Sequence, residues 1–156
     1  MPTTDEALHR HPQSTAKIAG HPIHPMLVPF PIVCFILTLV ADIVYVNSHV
    51  HPWASASRIL LAIGIVMAAL AAIAGLTDFI GEKRIQGPDA IKHMIANVTA
   101  VVIEIVNFIL RWHNDPAIAS IGIYLSVIVV IILLYSGWKG GDLVFRHGMG
   151  VSDRAD

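Results

Sequence analysis

Histidine binds metals and haem iron through a neutral ring nitrogen and exchanges protons near neutral pH, and this 156-residue chain carries nine of them. His21, His24, His93 and His147 each lie beside the end of an apolar run, as does Asp78, and Asn97 follows His93 by about one helical turn. Two histidines from separate segments can take the two faces of a haem iron. His24, His93 and His147 with Asp78 make a mixed nitrogen and oxygen set for zinc, copper or iron. Glu104 offers a third chemistry. A carboxyl within an apolar run, in line with Asn97 and His93, suits proton or small-ion transfer with His24 or Asp78 as the exit.

The elements that must position these groups are membrane helices. The chain is 55% hydrophobic and 13% charged, with a mean hydropathy of +0.69. Its apolar residues form four runs, 25–46, 58–80, 91–111 and 117–136. At about 1.5 Å per residue each covers about 30 Å as a helix, the depth of a hydrocarbon core. The expected fold is all-α, an integral membrane four-helix transmembrane bundle. The bundle occupies residues 20–137, between a polar tail (1–19) and a Gly-rich segment (138–156). Short links make consecutive helices antiparallel neighbours.

Charge sets the orientation. Arg10, Lys17, Lys83, Arg84, Lys92, Lys139, Arg146 and Arg154 fall on one side, and only Arg58 and Arg111 on the other. This bias predicts that both termini are cytoplasmic. The first residues hold no apolar core of a cleavable signal peptide. A net charge of -1 argues against nucleic acid as a partner. Cys34, the lone cysteine, reads as small core packing.

Within the third run, His93, Asn97, Ala100, Glu104, Asn107 and Arg111 recur at spacings of three or four, one stripe that should face the bundle interior. Glu104 is then neutral or paired with Asn107, Tyr124 or Thr38. Gly64, Ala68, Ala71 and Gly75 form a small-residue stripe on the second helix, suited to close packing. Asp42 lies near the outer end of the first helix and is expected to reach the interface. Pro29 and Pro31 predict an irregular start to that helix, with His21 and His24 held stiffly beside Pro22 and Pro25. Gly137 is the expected stop of the fourth helix. Gly140 and Gly141 would then reverse the chain and bring His147 under the bundle. His9, His11, His49, His51 and His113 read as solvated or interfacial, and Trp53, Trp112 and Trp138 as interfacial anchors.

The "HPIHP" before the first helix, "GLTDF" closing the second, His93 with Asn97, and "GWKGGDLVFRHGMGV" at the end resemble the bacterial membrane family catalogued as domain of unknown function 2231. The resemblance spans about Gly20 to Val151 and implies a bacterial inner membrane. Similar domains occur fused to Rieske iron–sulfur or cytochrome c modules, which implies redox company.

Four readings remain open. The first is haem b for electron transfer, with His93 and His24 as ligands, His21 or His147 as substitutes, and Asn97 beside them. Lys83, Arg84 and Arg146 would pair with the propionates, and a quinone near Glu104 or a redox protein would exchange electrons. The second is a single transition metal ion on His24, His93, His147 and Asp78. The third is proton or ion conduction past Glu104, for which a homo-oligomer is expected. The fourth is a structural polar cluster in which Asp78 binds a neighbouring segment.

Overall fold

Inside a bilayer no water replaces a lost backbone hydrogen bond, so each apolar run must close its bonds internally as a helix. A computed structural model describes residues 11–151. Arg10, Arg154 and His9, named above, lie outside the described residues. Strands β1 (Lys17–Ile18) and β2 (His21–Pro22) pair antiparallel. Between them Ala19 (φ 50°) and Gly20 (φ 82°) make a two-residue turn with both φ angles positive, a geometry matched to strand twist. The helices are α1 (Ile23–Leu27), α2 (Pro29–Ser48), α3 (His51–Gly81), α4 (Pro88–Arg111) and α5 (Ile123–Phe145). A 3-10 turn (Lys83–Ile85) joins α3 to α4, and a π turn (Ile118–Gly122) leads into α5.

Among the described residues, four stretches are long and apolar enough to cross a membrane: Ile23–Ser48, His51–Gly81, Pro88–Arg111 and Ile118–Phe145. The fold is therefore the expected all-helical bundle, with its chain ends and the α3–α4 link at one end (the terminal end) and the α2–α3 and α4–α5 links at the other (the link end). Helices α2 and α3 pack as one hairpin and α4 and α5 as another. Contacts of α2 with α5 and of α3 with α4 close the four-sided bundle, and α1 lies on α3.

Packing is inverted relative to a protein in water. Ile59, Ile73, Ile109, Ile131 and Leu134 point outward and are more than half exposed, whereas Thr38, Asp42, Ser57, Glu104, Asn107, Arg111 and Ser126 are fully buried. Lipid solvates the former and cannot solvate the latter. One buried apolar cluster is made of Phe35, Leu61, Ala68, Ala100 and Val129, with partly buried Ile65, Val101, Ile103, Phe108, Ile132 and Leu133 packed against it.

Helix ends differ from expectation at two places, while the entry to the first span is broken as its prolines predict: α1 ends at Leu27 and α2 starts at Pro29 after a one-residue break at Val28. Pro29 and Pro31 fall in its first turn, where a missing N–H leaves no intrahelical bond unmade. Helix α3 starts at His51, so Arg58 lies inside it. Helix α5 runs through Gly137, Gly140 and Gly141 to Phe145, because a glycine whose hydrogen-bond ladder is intact need not stop a membrane helix. The chain reverses only beyond it, at Gly148 (φ 66°) and Gly150 (φ 74°).

Candidate functional site

The tail before the first span is pinned chiefly by the Asp78 carboxylate, with Glu82 beside it. Asp78 Oδ1 accepts from Ser14 Oγ (2.8 Å), Thr15 N (2.7 Å) and Ala16 N (2.8 Å). Ile23 N donates to Ala16 O (2.9 Å), which carries this anchorage through the β turn to α1. The histidine of α1 is thereby set against α3. Nearby Glu82 is buried and accepts from Arg84 Nη2 (2.7 Å) and Gln13 N (3.3 Å). The Arg84 guanidinium, helped by these backbone N–H groups, holds its carboxyl below the usual range.

His24 Nδ1 lies 2.8 Å from Ala71 O. A carbonyl only accepts, so Nδ1 carries the hydrogen, and in the neutral ring the lone pair is then on Nε2. The ring lies directly on Gly75, where a Cβ would come within 2.8 Å of Nδ1. His93 on α4 repeats the device on the other hairpin. Its Nδ1 lies 2.9 Å from Ser136 O on α5, with Ser136 Oγ at 3.1 Å, and its ring lies on Gly140 at 3.1 Å from an added Cβ. Asn97 Nδ2 is 3.1 Å from His93 Nε2 and 2.9 Å from His93 O.

The two imidazoles meet across the seam between the hairpins. Their centroids are 6.2 Å apart and their planes stand at 89°. With metal–nitrogen bonds of about 2 Å on either side, plus the two ring radii, imidazoles sharing one metal ion have centroids about 6 Å apart. Hydrogen bonds from Nδ1 to carbonyls are also the usual means of orienting ligating histidines. The centroid separation thus matches that of two imidazoles on one metal ion, while His93 Nε2 is held by the Asn97 amide.

The other expected site residues lie elsewhere. Asp78 serves the N-terminal segment, His21 sits exposed in β2, and His147 Nε2 contacts Asp89 Oδ2 at 3.2 Å. Asp89 also takes Lys139 (3.0 Å), which bridges to Asp142 (2.9 Å). Because α5 continues to Phe145, His147 emerges beside the start of α4 rather than beneath the His24–His93 pair. Among the described residues no three His, Cys, Asp or Glu side chains group closely enough to hold a metal ion. The set of His24, His93, His147 and Asp78 is thus not assembled. Of the expected propionate partners, Arg84 pairs with Glu82 and Arg146 with Asp142.

Nearer the link end lies a network that the sequence only half announced. Arg111 Nη1 and Nη2 meet Asp42 Oδ1 (2.7 Å) and Oδ2 (3.1 Å), a bidentate pair with both side chains fully buried. Ser57 bonds Asp42 Oδ1 (2.5 Å), Ser126 bonds Asp42 Oδ2 (2.7 Å), and Asn107 Oδ1 takes Arg111 Nη2 (2.6 Å). One cluster so ties α2, α3, α4 and α5 together. Asp42 does not reach the interface as expected, because Arg111 meets it inside. Glu104 Oε2 accepts from Asn107 (2.9 Å), but Oε1 has no hydrogen-bond partner. Thr38 instead donates to Cys34 O, and Tyr124 is exposed.

Among known proteins, a family model described as a predicted membrane protein (DUF2231) matches residues 20–153. No curated protein and no solved structure matches the chain.

Proposed function

The chain belongs to the DUF2231 family of predicted membrane proteins, and from that premise we propose that it holds one b-type haem between His24 and His93 and transfers electrons. One observation carries this reading: two perpendicular imidazoles from opposite hairpins, 6.2 Å apart, each with Nδ1 committed to a helix carbonyl. The haem, when bound, supplies a one-electron couple. His24 and His93 would hold the group through Nε2, and Ala71 and Ser136 fix the ring orientations through Nδ1. Gly75 and Gly140 let the rings lie flat against α3 and α5. Asn97 must turn its amide from His93 Nε2 to free it, and its bond to His93 O gives that amide a second resting place. The pair lies at the terminal end, the face that the basic residues assign to the cytoplasm. Electrons would be exchanged there with a quinone or a redox protein.

An absorption spectrum of the detergent-purified protein, before and after dithionite, tests this with metal analysis on the same sample. The expected result is a Soret band that sharpens on reduction, lost in His24→Ala and in His93→Ala and retained in His147→Ala. A colourless protein with a tightly held transition metal would replace haem by a metal ion. A band that survives both alanine substitutions would remove these ligands.

A second reading, proton handling, has its own observation in the unpartnered Oε1 of buried Glu104. A buried polar atom without a partner calls for an explanation, and a carboxyl that gains and loses a proton supplies one. In proteoliposomes, Glu104→Gln should abolish any proton flux the wild type supports. Equal flux in the two proteins would exclude Glu104 from the path.

A further inference from the structure

At the link end, remote from the histidine pair, a cavity of about 420 Å³ is lined by His51, Arg58, Trp112, His113 and Asp115. A neighbouring cavity of about 300 Å³ lies among Ser55, Arg58, Ile59, Ala62, Phe108 and Trp112. Arg58 and Trp112 line both, so the two make one depression with a polar mouth and an apolar groove between α3 and α4. At the mouth Arg58 pairs with Asp115 and donates through Nη2 to Ser55 Oγ (3.2 Å). Asp115 Oδ2 lies 2.6 Å from His51 Nδ1. The guanidinium has further N–H donors, and each carboxylate oxygen has a second lone pair.

These features narrow the occupant. Ile59 and Trp112 are more than half exposed on the lipid-facing surface, so the groove takes an alkyl chain. The mouth presents Arg58 and Asp115 paired with each other, with His51 on the second Asp115 oxygen and His113 beside them. A purely anionic head would set a charge against Asp115, and a neutral ring would answer neither charge. A head with a phosphate and a primary ammonium answers both, by charge-assisted hydrogen bonds. We propose that this depression is a binding site for a zwitterionic aminophospholipid of the phosphatidylethanolamine class. Arg58 takes the phosphate, Asp115 the ammonium, and Ile59, Ala62 and Phe108 one acyl chain.

Native mass spectrometry of the full chain, purified in detergent and incubated with defined phospholipids, tests the site. One phosphatidylethanolamine should be retained. Phosphatidylcholine, whose ammonium has no N–H to donate, and phosphatidylglycerol, which has no cation, should each be held about tenfold less well, the loss expected for one charge-assisted hydrogen bond. Asp115→Asn should erase the preference for ethanolamine over choline. Arg58→Ala should weaken retention of all three lipids, and Arg58→Lys should restore it in part. If the alanine variant does not fold, Asp115→Asn alone decides the headgroup assignment. Equal retention of the three lipids, a preference untouched by Asp115→Asn, or retention of a quinone in their place would overturn the proposal.

Discussion

Arg111 and Asp42 show how much depends on a single buried pair. Replacing Arg111 by methionine leaves Asp42 as an unpaired charge at a site with no exposure, a defect that costs about 3–5 kcal/mol. Replacing Asp42 by leucine as well removes both charges and should recover much of the loss, since apolar replacements of a whole buried pair are often neutral. Thermal unfolding of the single and double variants in detergent checks both statements. A smaller change tests the histidine pair. Gly75→Ala places a Cβ within 2.8 Å of His24 Nδ1, and Gly140→Ala places one 3.1 Å from the His93 ring. If the proposed haem binds, the first should expel it while helix content stays constant, and the second should weaken it less, as read by absorbance and far-ultraviolet circular dichroism. His24 and His93 were legible as a pair because each opens or precedes an apolar run. Asp42–Arg111 was not, although its partners stand no farther apart in sequence than the two histidines, because each, taken alone, reads as a helix-end charge. The interior stripe that already held Arg111 was the available signal.

At the scale of elements, the spans followed from run length alone, since a bilayer admits only helices of that length. Their ends did not. Gly137, Gly140 and Gly141 have the composition of a stop, yet they sit within α5, and Gly140 serves the close approach of His93. The segment from Gln13 to Pro22 has no apolar run to reveal it. Its docking depends on the acceptor capacity of Asp78 and Glu82, which no periodicity encodes. Asp78→Asn should loosen this segment, and faster tryptic cleavage after Lys17 in detergent would report it. Glu82 adds a pH dependence whose sign is fixed by its depressed folded-state value. Its contribution is complete above the ordinary carboxylate range and is lost as pH falls through that lower value. Acidification should therefore expose Lys17 to an acid-tolerant protease, and Glu82→Gln should flatten the profile.

For the whole molecule, the polar interior divides into two stations. The histidine pair bridges the hairpins at the terminal end, and the Asp42–Arg111 cluster locks all four spans nearer the link end, with Ala100 and the apolar core between them. Electrostatic locking at one end and a seam held by two imidazoles at the other predict unequal stiffness along the bundle. Amide hydrogen exchange should be slower at the link-end halves of α2 and α4 than at the terminal-end half of α4, and haem addition should narrow that gap. Beyond the helices, Gly150 N donates to Pro12 O (2.9 Å) and Gln13 Nε2 to Val151 O (2.9 Å). Those two bonds hold the two ends of the described residues side by side. A linker joining these ends, with a cut in the α2–α3 link, would yield a permuted polypeptide that begins with α3 and keeps every helix neighbour. Its new ends would emerge on the opposite side of the membrane, which offers a topological test of whether orientation is read from the first span or from the assembled bundle.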